Sequence, residues 1–195
     1  MIPTKLTLGK KIDKNMLEKA GFIVGTYASQ ILEKVTFGKK CEVELKVMSV
    51  SELGFKDWTK YSDICTKIKE LGYELCPAEV GLALRLAYED QPLGEWLHIA
   101  MEPLPDSDDD LGVFGLGRGA RGLYLSSDYG SPGALYGPDY RFVCLVPRKF
   151  GSLVPLESRD LDFRTFEQEF HDVYYGPDHQ GFSKLCKWVY DKINE

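Results

Sequence analysis

Hydrophobic positions recur at two different periods along this chain, and each change of period marks an element. Between residues 11 and 34, Ile12, Met16 and Leu17, then Tyr27, Ile31 and Leu32, fall at helical spacing. Gly21 breaks the pattern and Gly38 follows it, so the spacing predicts two short helices, over 11–20 and 26–34. Val43, Leu45 and Val47 then alternate with Glu42, Glu44 and Lys46, which reads as a strand with one face to a core and the other to water. Tyr61, Ile64, Ile68 and Leu71 restore the helical period, and Gly72 stands where a helix commonly ends, predicting a third helix over 59–71. Residues 77–86 carry both signals. Pro77 and the alanines favour a helix, whereas Leu82, Leu84 and Leu86 alternate, so this segment reads as a short helix leading into a strand.

Period-two runs bounded by turn residues predict four further strands, over 96–101, 113–116, 122–125 and 142–146. Between the last two, residues 126–140 hold three glycines and two prolines and read as one long loop. From residue 151 the pattern turns helical again, over 163–173 and 182–193. The expected fold is α+β, with N-terminal helices, a mostly antiparallel sheet or small barrel, and a helical C-terminal extension. Residues 1–150 would form the α+β domain and 151–195 an extension packed on it. A chain of 195 residues is long enough to bury a sizeable core.

Charge is distributed unevenly over these elements. Residues 1–75 carry three more basic than acidic groups, and residues 76–195 nine more acidic than basic. An acidic distal part repels a phosphate backbone, which argues against sequence-independent nucleic-acid binding there. Lys10, Lys11, Lys14 and Lys19 line the first predicted helix and read as a solvated face, or as a surface for a salt-sensitive partner. Five cysteines without a CxxC pair fit neither a disulfide framework nor a zinc ribbon, and read as reduced and buried. No apolar leader and no run of about 18 apolar residues is present, so the expectation is a cytoplasmic protein without a membrane span.

Several constellations carry possible chemistry. Asp106, Asp108 and Asp110 alternate like the start of a calcium loop, but Leu111 stands where the sharp glycine belongs and Gly117 where the closing glutamate belongs; a solvated acidic turn is the simpler reading. Residues 115–122 are glycine-rich around Arg118 and Arg121, which could contact an anion. No helix follows as a dinucleotide loop requires, so this segment reads as a flexible hairpin. His171-Asp172 and Asp178-His179 bracket a turn and read as helix ends rather than metal ligands. On an extended strand His98 and Glu102 would share a face, the one local pair with acid–base potential, with Cys76 as a possible nucleophile brought near by the fold. A structural histidine within a sheet is the competing reading. No metal or cofactor is expected.

Aromatic residues are concentrated in the same region. Trp96 and Phe142 are expected inside, and Tyr129, Tyr136 and Tyr140, interleaved with Asp128 and Asp139, on the surface of the 126–140 loop. Such a loop suits recognition of a protein or small-molecule ligand, with Arg118 and Arg121 nearby.

The segments from Glu74 to Gly81, Gly94 to Leu97, Met101 to Pro103 and Asp106 to Asp108, with the closing Arg141-Phe142-Val143, resemble a family of uncharacterised bacterial proteins over about residues 1–149. That resemblance implies a cytoplasmic bacterial protein and supplies no catalytic residue. The succession of a Gly-Leu-Tyr-Leu strand, a long loop and a final Phe-Val strand is similar to the end of C-type-lectin-like ligand-binding domains. The sequence thus leads to a non-enzymatic binding or interaction module using residues 126–140. The alternatives are a small hydrolase or transferase using His98 and Glu102, and a C-type-lectin-like ligand-binding protein.

Overall fold

Alternation and helical periodicity become fourteen named elements within residues 2–147, which are the residues described in the computed structural model. In chain order these are β1 (Lys5–Leu8), α1 (Lys14–Lys19), β2 (Ile23–Val24), α2 (Thr26–Leu32), β3 (Cys41–Ser49), β4 (Thr59–Lys60) and α3 (Tyr61–Glu70). They continue with α4 (Glu79–Ala87), β5 (Trp96–Ile99), β6 (Leu104–Pro105), β7 (Leu111–Gly119), β8 (Gly122–Tyr129), β9 (Leu135–Tyr136) and β10 (Arg141–Val146). The helices expected over 163–173 and 182–193, the packing of 151–195, and the His171/Asp172 and Asp178/His179 pairs lie outside the described residues.

The fold is α+β, with the helices set against a large curled mixed sheet. Its strand order is β1-β3-β10-β5-β7-β8-β2, with β6 added against β7. The sheet is less uniformly antiparallel than the sequence suggests, because β10 runs parallel to β5 and β2 parallel to β8. A separate two-stranded ribbon joins β4 to β9. No helix among the described residues is long and apolar enough to cross a membrane.

Both faces of the central strands contribute to the core, with Val113, Phe142 and Cys144 fully buried on one and a larger set on the other. Leu97, Ile99, Phe114, Leu116, Leu125 and Val143 project there and are fully buried, alternating with the residues of the opposite face as the strand period requires. Helix α2 packs on β7 and β8, and α4 packs on β1, β7 and β8. Helix α3 ends as Gly72 predicts: Gly72 takes φ +81°, Tyr73 N–H donates to the Ile68 carbonyl at 3.1 Å, and Gly72 N–H donates to the Lys69 carbonyl at 3.0 Å.

Residues 79–87 are helix throughout, which corrects the expected helix-to-strand transition. Leu82 and Leu84 alternate because α4 is enclosed on more than one side; Val80, Gly81 and Arg85 are buried with them. A helix covered nearly all round loses the single apolar stripe that reveals its period. Its first residue, Glu79, is buried and accepts the N–H groups of Gly9 at 2.9 Å and Gly38 at 3.1 Å, tying the helix to the chain beyond β1.

Gly81 sets how closely α4 approaches the sheet. A Cβ there would stand 2.8 Å from Cβ of Phe114 and 2.9 Å from its ring, and Phe114 is fully buried. Alanine would gain about 1 kcal/mol of helix propensity, but overpacking against a fixed ring costs about 1–3 kcal/mol. Packing should win, so Gly81→Ala is expected to unfold at lower urea concentration than the wild type. A higher midpoint would mean that the contact is loose.

Candidate functional site

Strand β7 reads Leu-Gly-Val-Phe-Gly-Leu-Gly-Arg-Gly, and a two-residue period puts Gly115, Gly117 and Gly119 on one face. From Gly115 to Gly119 nothing projects from β7 on that face, beyond Leu111 and Val113, so side chains of both neighbouring strands lie across it there. A Cβ at Gly117 would stand 2.5 Å from the Trp96 ring, and one at Gly115 would collide with the Asp128 carboxylate and come within 2.6 Å of Oγ of Ser126. Residues 115–119 are therefore strand rather than flexible hairpin, and the turn is confined to the end of β7 and the start of β8.

The register pairs His98 of β5 with Gly115, and Gly115 with Ser126 of β8. Asp128, two residues farther along β8, reaches back over Gly115, bringing its Oδ2 to 3.1 Å from Nδ1 of His98. The pair is close but not aligned as a hydrogen bond, and both atoms are buried without another partner. The rings of Tyr136, Tyr140 and Phe142 surround His98 at centroid distances of 5.3, 5.3 and 5.4 Å, leaving it 4% exposed.

Beside the pair lies an open cleft of about 510 Å³, lined by Asp128, Tyr129, Ser131, Gly133, Ala134, Leu135, Tyr136 and Tyr140. Two devices hold its wall. The β4–β9 ribbon fixes Leu135 and Tyr136, and the start of α3 captures the preceding segment. Tyr61 N–H donates to the Ala134 carbonyl at 2.8 Å and Ser62 N–H to the Pro132 carbonyl at 3.2 Å, using helix-end donors that have no partner within the helix. The Tyr136 hydroxyl donates to the Tyr129 carbonyl. Burial, reinforced by the Asp128 charge, raises the Tyr136 phenol well above its ordinary pKa and keeps it a neutral donor. At the rim Tyr129 is 77% exposed, Leu135 56% and Tyr140 39%. Trp58, 63% exposed, stands 6.0 Å from Tyr140.

The expected long loop is thus mostly framed by strand: Ser126 to Tyr129 belong to β8 and Leu135–Tyr136 form β9, leaving short connections at 130–134 and 137–140. Within it Asp128, Tyr129, Tyr136 and Tyr140 come together at the cleft, whereas Asp139 is exposed in the turn before β10 and is not part of the lining. Tyr136 is buried rather than displayed, because its ring packs on Tyr61 and Phe142. Trp96 is 43% exposed rather than internal, stacked on Tyr124 across the glycine face, while Phe142 is fully buried as expected.

Arg118 and Arg121 are not neighbours of this cleft. Arg118 sits five residues along β7 from the partner of Asp128, roughly 17 Å away at the rise of a strand. Its guanidinium donates to the Gln91 carbonyl at 2.7 Å, and that of Arg121 to the Tyr124 hydroxyl at 3.2 Å.

His98 and Glu102 do not form a pair. Strand β5 ends at Ile99, and Glu102 is turned to solvent beside Lys69, 3.7 Å away. The Cys76 thiol is buried and directed at the Val143 carbonyl at 3.4 Å; burial raises its pKa well above that of an ordinary thiol, which disfavours a thiolate nucleophile. Cys41, Cys65, Cys76 and Cys144 are all free, the first two only partly buried.

The acidic turn has an internal explanation. One carboxylate oxygen of Asp106 accepts the N–H groups of Asp108 at 2.9 Å and Asp110 at 3.0 Å, and Lys34 donates to the Asp106 carbonyl at 3.1 Å. Among the described residues no three His, Cys, Asp or Glu side chains are grouped to hold a metal.

Sequence reasoning singled out the tyrosines and Asp128 but missed Trp58, Leu135 and the partnership of His98 with Asp128. The usable signal was the alternation Gly115-Gly117-Gly119, which marks a bare strand face. In comparisons with protein-family models, curated proteins and solved structures, nothing matches this chain, so its site has to be interpreted from its own geometry.

Proposed function

We propose that this protein is a non-enzymatic ligand-binding module whose recognition surface is the Asp128–Tyr140 cleft. The observation that carries this reading is an open cleft of about 510 Å³ rimmed by exposed Tyr129, Leu135 and Tyr140, with exposed Trp58 beside Tyr140. Its volume lies in the range of small-molecule sites. Tyrosine and tryptophan give large contact areas with few rotatable bonds, so displaying them costs little ordering on binding. Two strands and a helix end brace the wall, which pre-organises it.

The hydrolase or transferase alternative carries less weight. His98 would be its base, and the ring cage leaves that imidazole little surface for a substrate. Its carboxylate neighbour is Asp128 rather than the proposed Glu102.

The test is a fragment screen by NMR on the full chain, comparing wild type with a Tyr129→Ala/Leu135→Ser variant. Both replaced side chains are largely solvent-exposed, so the melting temperature should change little. Fragments are expected to shift the amide signals of residues 128–136 in the wild type and to lose at least about tenfold in affinity in the variant. Hits that map elsewhere, or that bind the variant equally well, would sink the reading.

A further inference from the structure

The chemistry of the cleft wall specifies what kind of ligand it suits. Among the lining residues Asp128 alone carries a formal charge. Its only ion-pair contact among the described residues is with His98, and one of its oxygens is buried without an aligned hydrogen bond. Among the described residues no lysine or arginine pairs with it. The remaining wall is tyrosine, Ser131 and small apolar surface, with Trp58 beside Tyr140.

An anion would meet the Asp128 charge, and the hydroxyls of Tyr129, Ser131 and Tyr140 are neutral donors that do not offset that repulsion. A neutral ligand would gain the aromatic contacts but leave the carboxylate unanswered. A cation gains both, through a charge-assisted hydrogen bond to Asp128 and attraction to the electron-rich tyrosine faces. We propose that the cleft binds an organic cation, an ammonium or guanidinium group on a small apolar body, with its charged head at Asp128 and its body against Tyr129 and Tyr140. This rests on the binding reading above and adds the ligand's chemical class.

The experiment uses the full chain at one fixed pH and ionic strength. Benzylamine, benzyl alcohol and benzoate, which differ chiefly in charge, are titrated while the amide signals of Asp128, Tyr129 and Leu135 are followed. Benzylamine should bind about tenfold more tightly than benzyl alcohol, with benzoate weakest. Asp128→Asn should reduce the amine to the level of the alcohol.

Equal binding of amine and alcohol at these residues, or an amine preference that survives Asp128→Asn, overturns the cation proposal while leaving the cleft as a binding site. No shift at the cleft from any of the three overturns both. If Asp128→Asn does not fold, wild-type salt dependence serves instead: the amine's advantage should shrink as ionic strength rises, and an advantage indifferent to salt overturns the proposal. n-Butylamine run beside a capped peptide with one lysine separates two sources of the cation. Tighter binding of the peptide assigns it to a protein side chain, and tighter binding of the free amine to a small molecule; both outcomes support the cation.

Discussion

Phe142→Ala is expected to lower the unfolding free energy by about 3–5 kcal/mol, the range for deleting a fully buried ring. Phe142 is completely buried on β10, with ring centroids of Tyr136, His98 and Tyr61 at 5.0, 5.4 and 5.9 Å. The space it leaves should not collapse, because two of those neighbours are anchored by their hydroxyls. Tyr61 donates to the Met101 carbonyl at 2.7 Å and accepts the Met101 N–H at 3.0 Å, while Tyr136 is held by the Tyr129 carbonyl. The loss should therefore fall in the upper half of that range, and fragment binding at the cleft should weaken with it, since Tyr136 forms both core and wall. Phe142→Leu, which keeps most of the volume, should cost about half as much. Urea denaturation of both variants is the check, and a loss under about 1 kcal/mol for the alanine variant would mean that the aromatic cluster is not tightly packed.

Arg85→Ala should be the second large loss, about 3 kcal/mol, though two effects oppose each other there. Arg85 is completely buried on α4, and among the described residues its hydrogen-bond partners include no carboxylate. It donates to Oε1 of Gln91 at 2.6 Å and to the Tyr88 carbonyl, and its guanidinium lies 5.1 Å from the centre of the Phe22 ring. Burial lowers its pKa to about 10, the sign of a charge held at a cost.

Removing the side chain relieves that cost but strands two buried acceptors, at about 1–3 kcal/mol each, and leaves a void. It also frees Gln91, whose amide spans the Leu116 carbonyl at 3.0 Å and the Glu95 carbonyl at 3.2 Å. The stranded acceptors and the void should outweigh the relief. Arg85→Met keeps the stem volume and removes the charge, so it should lose less than Arg85→Ala; equal losses would show that packing is irrelevant there. The folded pKa of about 10 lies below the ordinary value of 12.5. The unfolded chain thus binds more protons between these values, and the contribution of Arg85 makes stability rise with pH only in that window.

Several elements were legible in the sequence for local reasons. Val43, Leu45 and Val47 alternate along β3, and Tyr61, Ile64 and Ile68 recur along α3 and are buried as their spacing requires. Gly72 ends that helix because it adopts a positive φ without steric cost. Where the local signal failed, an environment had replaced it. Helix α4 hid its period by being covered on several sides. Residues 126–129 looked like loop because Ser-Ser-Asp is turn chemistry, yet pairing with Val113, Phe114 and Gly115 holds them as strand.

By itself the sequence determined the faces. A two-residue or 3.6-residue period states which side chains point together, and that was enough to fix an α+β chain with β3, β5, β7, β8 and β10 and an aromatic, acid-bearing segment from Asp128 to Tyr140. Only the tertiary structure decided the neighbours. That Asp128 rather than Glu102 meets His98 depends on β7 lying between β5 and β8 with glycine at the crossing point. That Tyr136 is wall and Tyr129 rim depends on β9 pairing with β4, far back in the chain. Periodicity is a property of adjacent residues, whereas strand order and register are selected by burial summed over the whole sheet, so the partners across a strand cannot be read from either segment alone.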